Sequence, residues 1–188
     1  MNTDDGRADG KGVSIEPLGG PNTGEDFGGL VELLTACVEG GASIGFLAPL
    51  ARADAETYWR KIAADLPGGY RVLLVARDAA GVIVGGAQLA LEARANGRHR
   101  AEVQKVMVRP AWRRRGIAAR LMAEIERVAR ERGVRLLFLD TSDSHAGARE
   151  LYEALQYVYV GGIPGYALDP RGTPEKNAIF YKTLAAGA

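Results

Sequence analysis

Phe27, Leu30, Val31, Leu34 and Val38 fall on one stripe of a helix, so residues 25–38 are predicted to be helical. A glycine-rich loop, EGGASIGFLAPL, follows, and ADAETYWRKIAADL reads as a second helix broken by PGG. Two β-rich runs around RDAAG make residues 70–93 a hairpin. HRAEVQKVMVRP is a further strand, stopped by Pro110. In GIAARLMAEIERVARER, Ile117, Leu121, Ile125 and Val128 share one face, while Glu126 and Arg130 pair four residues apart on another. Gly133 ends that helix. VRLLFLD is a continuous apolar strand of the buried parallel kind, HAGARELYEALQY a fourth helix and NAIFYKTL a last strand. Residues 1–24 are expected to be a flexible tail with a short strand at GVSIEPL, and residues 25–188 a single domain.

The strand–helix–strand order over residues 99–140 is a βαβ crossover, whose two strands should run parallel. The remaining strands fit a mixed, mostly antiparallel sheet of the α/β (α+β) class. In such a crossover a ligand sits at the carboxyl ends of the strands, beside the helix N-terminus. Here that point carries Arg113, Arg114, Arg115 and Gly116, and none of the usual capping residues. The first N–H groups of the helix are left without a local acceptor in a positive field. Water or an anion must fill the gap. Neither a Walker phosphate loop nor a dinucleotide glycine fingerprint occurs in the chain.

Composition narrows the setting. A chain of 188 residues can bury one sizeable core. No apolar run approaches the ~20 residues that span a membrane. The start, MNTDDGRADGKG, resembles neither a signal nor a transit peptide, and a cytoplasmic location is expected. Cys37 is the single cysteine, which excludes an intrachain disulfide. A formal net charge of +1 argues against broad nucleic-acid affinity. His99, His145 and Cys37 have no metal-ligand spacing, so no metal is expected.

Arg113-x-x-Gly116-x-Ala118, after the strand VQKVMV, resembles the [QR]-x-x-G-x-[GA] signature of GCN5-related N-acetyltransferases (GNAT). GARELYEALQYVYVGG is similar to the segment that follows in that family, and the element order matches over about residues 100–160. GGASIGFLA, AEVQKVMV, LDT and PGYALDP extend the likeness, from about Phe27 to Leu184, towards the tabtoxin-resistance acetyltransferases. The departure is Ala118, where the signature's second glycine would stand.

The resemblance implies the GNAT fold, with a central parallel strand pair that splays apart and helices on both faces of the sheet. It implies acetyl-CoA as cosubstrate and a primary amine of a small molecule as acceptor, an amino-acid-like toxin or antibiotic. Val106, Met107 and Val108 would hold the pantetheine arm through their main chain, and Arg113, Arg114, Arg115, Gly116, Ile117 and Ala118 the diphosphate. The chemistry needs an N–H for the oxyanion, a base for the amine and an acid for the thiolate. Tyr152 is the acid candidate, and Asp140 and Glu102 are alternative base candidates. By alternation Glu102 shares a strand face with Gln104 and Val106, unless a bulge intervenes. Ser43, Phe46 and Tyr166 are candidates for the acceptor pocket. Cys37, on a helix far from the signature in sequence, is expected to be core filler, which favours direct attack in a ternary complex. Monomer and homodimer are both open.

Three rival readings differ in class. A non-catalytic sensor of acetyl-CoA would use the same loop. GASIG, residues 41–45, matches the G-x-S-x-G hydrolase elbow, with Asp140 and His145 following Ser43 in triad order, but an elbow needs a strand before it and a helix directly after. Arg113 to Arg115 and Arg120 could face nucleic acid, yet Trp112 is the sole aromatic nearby and no binding module fits.

Overall fold

The computed structural model describes residues 12–19, 24–144 and 147–185. Its elements are β1 (Ser14–Pro17), α1 (Glu25–Glu39), α2 (Arg52–Asp65), β2 (Arg71–Arg77), β3 (Ile83–Leu91), β4 (Arg100–Val108), α3 (Ile117–Glu131), β5 (Leu136–Ser142), α4 (Ala148–Ala154), β6 (Val158–Gly161), β7 (Ala167–Leu168), β8 (Pro174–Glu175) and β9 (Asn177–Thr183). Seven strands form one sheet in the order β1-β2-β3-β4-β5-β9-β6, and β7 pairs with β8 as a separate ribbon. The pairs are antiparallel except β4–β5, which run parallel as a crossover requires.

β2 buries five successive residues, Val72 to Ala76, because both faces of the sheet are covered. On one face Val72, Leu74, Leu137 and Leu139 pack with Ile117, Leu121, Ile125 and Val128 of α3 and with Tyr152 of α4. On the other, Leu73, Val75, Ile83 and Met107 pack with Leu30, Leu34 and Val38 of α1 and with Trp59 and Ile62 of α2. Burial of these two apolar layers is the main driving force for the fold.

The structure departs from the sequence reading at several elements. One element is as expected: the short strand in GVSIEPL pairs in register with β2 as a sheet edge, while most of the tail expected over residues 1–24 lies outside the described residues. α4 is shorter than its apolar pattern, because Gln156 turns to φ 64°. β6, β7 and β8 are strands of four, two and two residues, too short to show a period. Glu126 is buried, although it lies off the apolar stripe of α3. It meets Arg130 at 3.0 Å and Lys182 at 2.6 Å.

Two irregularities position the site. β4 and β5 pair only over Arg100–Glu102 and Leu136–Phe138, then separate, leaving a wedge between their carboxyl ends. β4 also carries a bulge against β3, where the register jumps between Gly86 and Gln88 and Lys105 takes φ 52°. Ala101 and Val103 belong to the α3 layer before the bulge, Val106 and Val108 after it. The bulge therefore puts Val106 on the face opposite Glu102 and Gln104, correcting the simple alternation.

Candidate active site

The wedge between β4 and β5 opens into two cavities that meet. The first, of about 690 Å³, is lined by Val106, Met107 and Val108, by Arg113, Arg114, Gly116, Ile117 and Ala118, and by Leu151 and Tyr152. The second, of about 390 Å³, is lined by Glu102, Gln104, Lys105, Asp140, Tyr58 and Tyr166 among others. Ser43, Ile44, Val106, Thr141 and Tyr152 line both.

The floor of the first cavity is the start of α3. Gly116 stands at its N-cap with φ 74° and ψ 4°, a conformation glycine adopts without strain. No side chain caps the helix, and its first turn holds no acidic residue. A short 3₁₀ turn at Pro110–Trp112 leads in, and Arg114 takes φ 65°. α4 likewise starts from an uncapped glycine, Gly147 at φ 93°, on the opposite wall. An anion between these ends would meet unfilled N–H groups and the positive poles of two helix dipoles.

The three arginines behave differently. Arg113 donates to the carbonyls of Val108 at 3.4 Å and Gly40 at 3.3 Å, which ties β4 to the end of α1. Arg114 lines the cavity with no protein acceptor among the described residues. Arg115 turns away: its guanidinium lies 4.8 Å from the Trp112 ring and donates to Ala111 at 3.1 Å. Its side chain is therefore not part of the cavity, contrary to the sequence expectation. Cys37 is part of it. Its thiol donates to the Val108 carbonyl at 3.5 Å; the residue is buried in the α1 layer as expected of core filler, but its nearness to the signature loop does not show in sequence distance. Burial raises its pKa to about 11.

Tyr152 has a buried ring packed 5.5 Å from Phe180 and 5.9 Å from Tyr157. Its hydroxyl makes no hydrogen bond to the described residues. Burial and, secondarily, the charge of Asp140 raise its pKa to about 12, so it stays a phenol at neutral pH. Asp140 lies in β5 opposite Ile179 of β9, exposed to the second cavity and not serving as a helix cap. Glu102 accepts from Gln104 Nε2 at 2.8 Å, and Arg100 pairs with Glu92 instead of with it. The three catalytic candidates thus border one space.

Ser43 follows α1 through a turn and precedes a loop, so the context of a nucleophile elbow is absent. His145, the third member of that reading, lies outside the described residues. Tyr166 stands half-exposed at the mouth of the second cavity, beside the β7–β8 ribbon. Phe46 packs edge-on against Tyr58 at 5.4 Å, behind the cavity wall and not in it. Sequence reading missed a polar wall here. Arg71 donates to Gln88 at 2.8 Å and Gln104 at 2.9 Å, and Gln88 donates to the Tyr58 hydroxyl at 2.8 Å. Its signal was faint: Gln88 interrupts an otherwise apolar strand, and Gln104 and Lys105 are two of several polar residues in β4. Among the described residues no cluster of His, Cys, Asp or Glu could hold a metal ion, and no helix is long and apolar enough to cross a membrane.

Comparison with known proteins agrees with this geometry. The acetyltransferase (GNAT) family profile matches residues 37–157. An N-acetyltransferase from the hisH-hisA intergenic region of Azospirillum brasilense is 36% identical over 134 residues, covering 70% of this chain and 77% of that one. A phosphinothricin acetyltransferase of Sinorhizobium meliloti, solved with acetyl-CoA, superposes with a TM-score of 0.76 at 19% identity, over 94% of this chain and 91% of that one. The protein yncA of Salmonella typhimurium, solved with its cofactor acetyl-CoA, gives 0.74 at 17% identity, over 94% and 96%. With its split sheet, its uncapped glycine turn and these relatives, the chain belongs to the GNAT family, and acetyl-CoA is its cosubstrate.

Proposed function

We propose that the enzyme transfers the acetyl group of acetyl-CoA to a primary amine of a small, amino-acid-like molecule, by direct attack within a ternary complex. The first cavity would take the cosubstrate: Gly116, Ile117, Ala118 and Arg114 around the diphosphate, with Val106 to Val108 offering main-chain groups that β5 leaves unpaired. The second would take the acceptor, with Ser43 and Tyr166 at its borders. Likeness to the tabtoxin-resistance acetyltransferases suggests a toxin or antibiotic as that acceptor.

The observation that carries this reading is the position of Tyr152, which lines both cavities where they meet. Asp140 or Glu102 would take the proton that leaves the acceptor's ammonium group, which frees the nitrogen lone pair for attack on the thioester carbonyl. As the carbon–sulfur bond breaks, Tyr152 would give its phenolic proton to the departing thiolate, and the second proton shed by the nitrogen as the amide forms would restore the phenol. The leaving thiol has a pKa of ~8.5, well below that of the phenol. Donation is thus uphill by pKa, and the proton moves as the thiolate forms in a dry site. Cys37 stays a thiol and takes no part.

The test is thiol release from acetyl-CoA across a panel of primary amines, repeated with Tyr152→Phe and Asp140→Asn. Turnover with a small amine, lost in Tyr152→Phe, supports the reading. Acetyl-CoA should also raise Tm without acceptor, because ligand binds only the folded state. An unchanged Tm at saturating acetyl-CoA, with no turnover, overturns it.

A further inference from the structure

The bulge in β4 also shapes the second cavity. It turns Gln104 and Lys105, neighbours in sequence, towards the same layer: Gln104 meets Arg71, and the Lys105 ammonium stands 5.8 Å from the Tyr58 ring and 6.0 Å from the Phe46 ring. The loop closes over it, since a methyl group on Gly45 would lie 3.4 Å from its Nζ. A lysine at φ 52° is held in a sparsely populated region, and such outliers persist where surrounding structure imposes them.

The charges lining the acceptor cavity are then unequal in their partners. Arg71 is engaged by Gln88, Gln104 and Asp65, the last at 3.7 Å. Lys176 pairs with Asp143 at 3.0 Å. Lys61 stands exposed on α2. Lys105, half-buried, has no hydrogen-bond acceptor and no carboxylate at ion-pair distance among the described residues. Two ring faces attract an ammonium but do not replace a hydrogen-bonding anion. Burial lowers the pKa of Lys105, while the more distant carboxylates of Asp140 and Glu102 act in the opposite sense. One cavity thus holds carboxylates suited to a substrate ammonium and a separate cation without a counter-ion.

We propose that Lys105 is the specificity-determining residue that receives the anionic group of the acceptor, an oxyanion such as a carboxylate or phosphinate, while its amine lies towards Asp140 and Tyr152. The inference rests on the acetyl-transfer reading above and adds that the acceptor is a zwitterion. An amine without the anionic group would leave Lys105 without an anionic partner beside the two rings, which discriminates more strongly than a missing methylene.

The test measures kcat/KM for L-amino acids, for L-phosphinothricin and for the matching carboxamides, using the wild type, Lys105→Met and Lys105→Arg. The wild type should prefer the anionic member of a pair by about tenfold to a hundredfold, the size expected for one hydrogen-bonded charge. Lys105→Met should abolish that preference, and Lys105→Arg should keep most of it. The rise in Tm with acetyl-CoA, followed on each variant, reports that the fold and cosubstrate cavity survive. Equal loss on both members of a pair in Lys105→Met overturns the proposal, as does a wild type that prefers the carboxamide or turns over none of the panel while acetyl-CoA still raises Tm. A missing rise in Tm with no turnover strikes instead at the acetyl-transfer reading and takes the proposal with it.

Discussion

The thiol of Cys37 donates to the main-chain carbonyl of Val108, fastening α1 to the last residue of β4. Burial raises the thiol pKa to about 11 and keeps it neutral beside the first cavity. Because the thiolate is the nucleophile, iodoacetamide should label Cys37 slowly at pH 8, and faster as the pH approaches that value. Urea should expose it to full labelling at pH 8. Intact mass after quenching with acetyl-CoA alone should show no added acetyl group. An acetyl adduct that disappears in Cys37→Ala would establish a covalent route in place of direct attack.

Tyr152→Phe keeps the ring and removes one proton donor. The contacts with Phe180 and Tyr157 survive, so Tm should change little. Loss of a general acid lowers kcat by about a hundredfold or more, with KM for acetyl-CoA nearly unchanged. The folded pKa is raised to about 12, so the donor remains protonated throughout pH 6–10. A wild-type rate that falls on an alkaline limb in that range, with the limb missing in Tyr152→Phe, would show that the donor titrates too early for this account.

Arg114 and Arg115 are neighbours with opposite expectations. Arg114 faces the first cavity without a protein acceptor among the described residues, whereas Arg115 lies on Trp112. Arg114→Ala should weaken coenzyme A binding by about tenfold and make affinity less sensitive to salt. Arg115→Ala should change it by less than about twofold, because its guanidinium is already engaged by Trp112 and Ala111, off the cavity. Calorimetric titration with coenzyme A at two ionic strengths decides between them. Equal effects would mean that the loop turns over when ligand binds.

Much of this architecture was legible in the chain. The stripe Ile117, Leu121, Ile125, Val128 determines which side of α3 meets the sheet, and the helix start before Ile117 has no side-chain cap, as its residues foretold. The acceptor side was less legible, because its geometry depends on a one-residue slip between β3 and β4. That slip moves Val106 to the α3 layer, brings Lys105 beside Tyr58, and cannot be read from the alternation of β4 alone. Arg114 and Arg115 are chemically identical in sequence. The positive φ of Arg114 accompanies their divergence. Cys37 reaches Val108 across 71 positions, a contact that only the tertiary fold creates.

Gly162 is a place where backbone approach excludes any side chain. A methyl group there would lie 1.7 Å from the carbonyl oxygen of Asn177, so Gly162→Ala must push the end of β6 away from β9. Asn177 Oδ1 accepts from the Ile163 N–H at 2.8 Å, and that bond would break as the strands part. Overpacking of this kind costs about 1–3 kcal/mol, and Tm should fall by several degrees. Asn177 is buried and lines the second cavity, the one proposed for the acceptor, while neither residue lines the first. KM for the acceptor should therefore rise in Gly162→Ala, and the increase in Tm caused by acetyl-CoA should persist. A variant with wild-type Tm and acceptor KM would show that the edge can yield without disturbing the site.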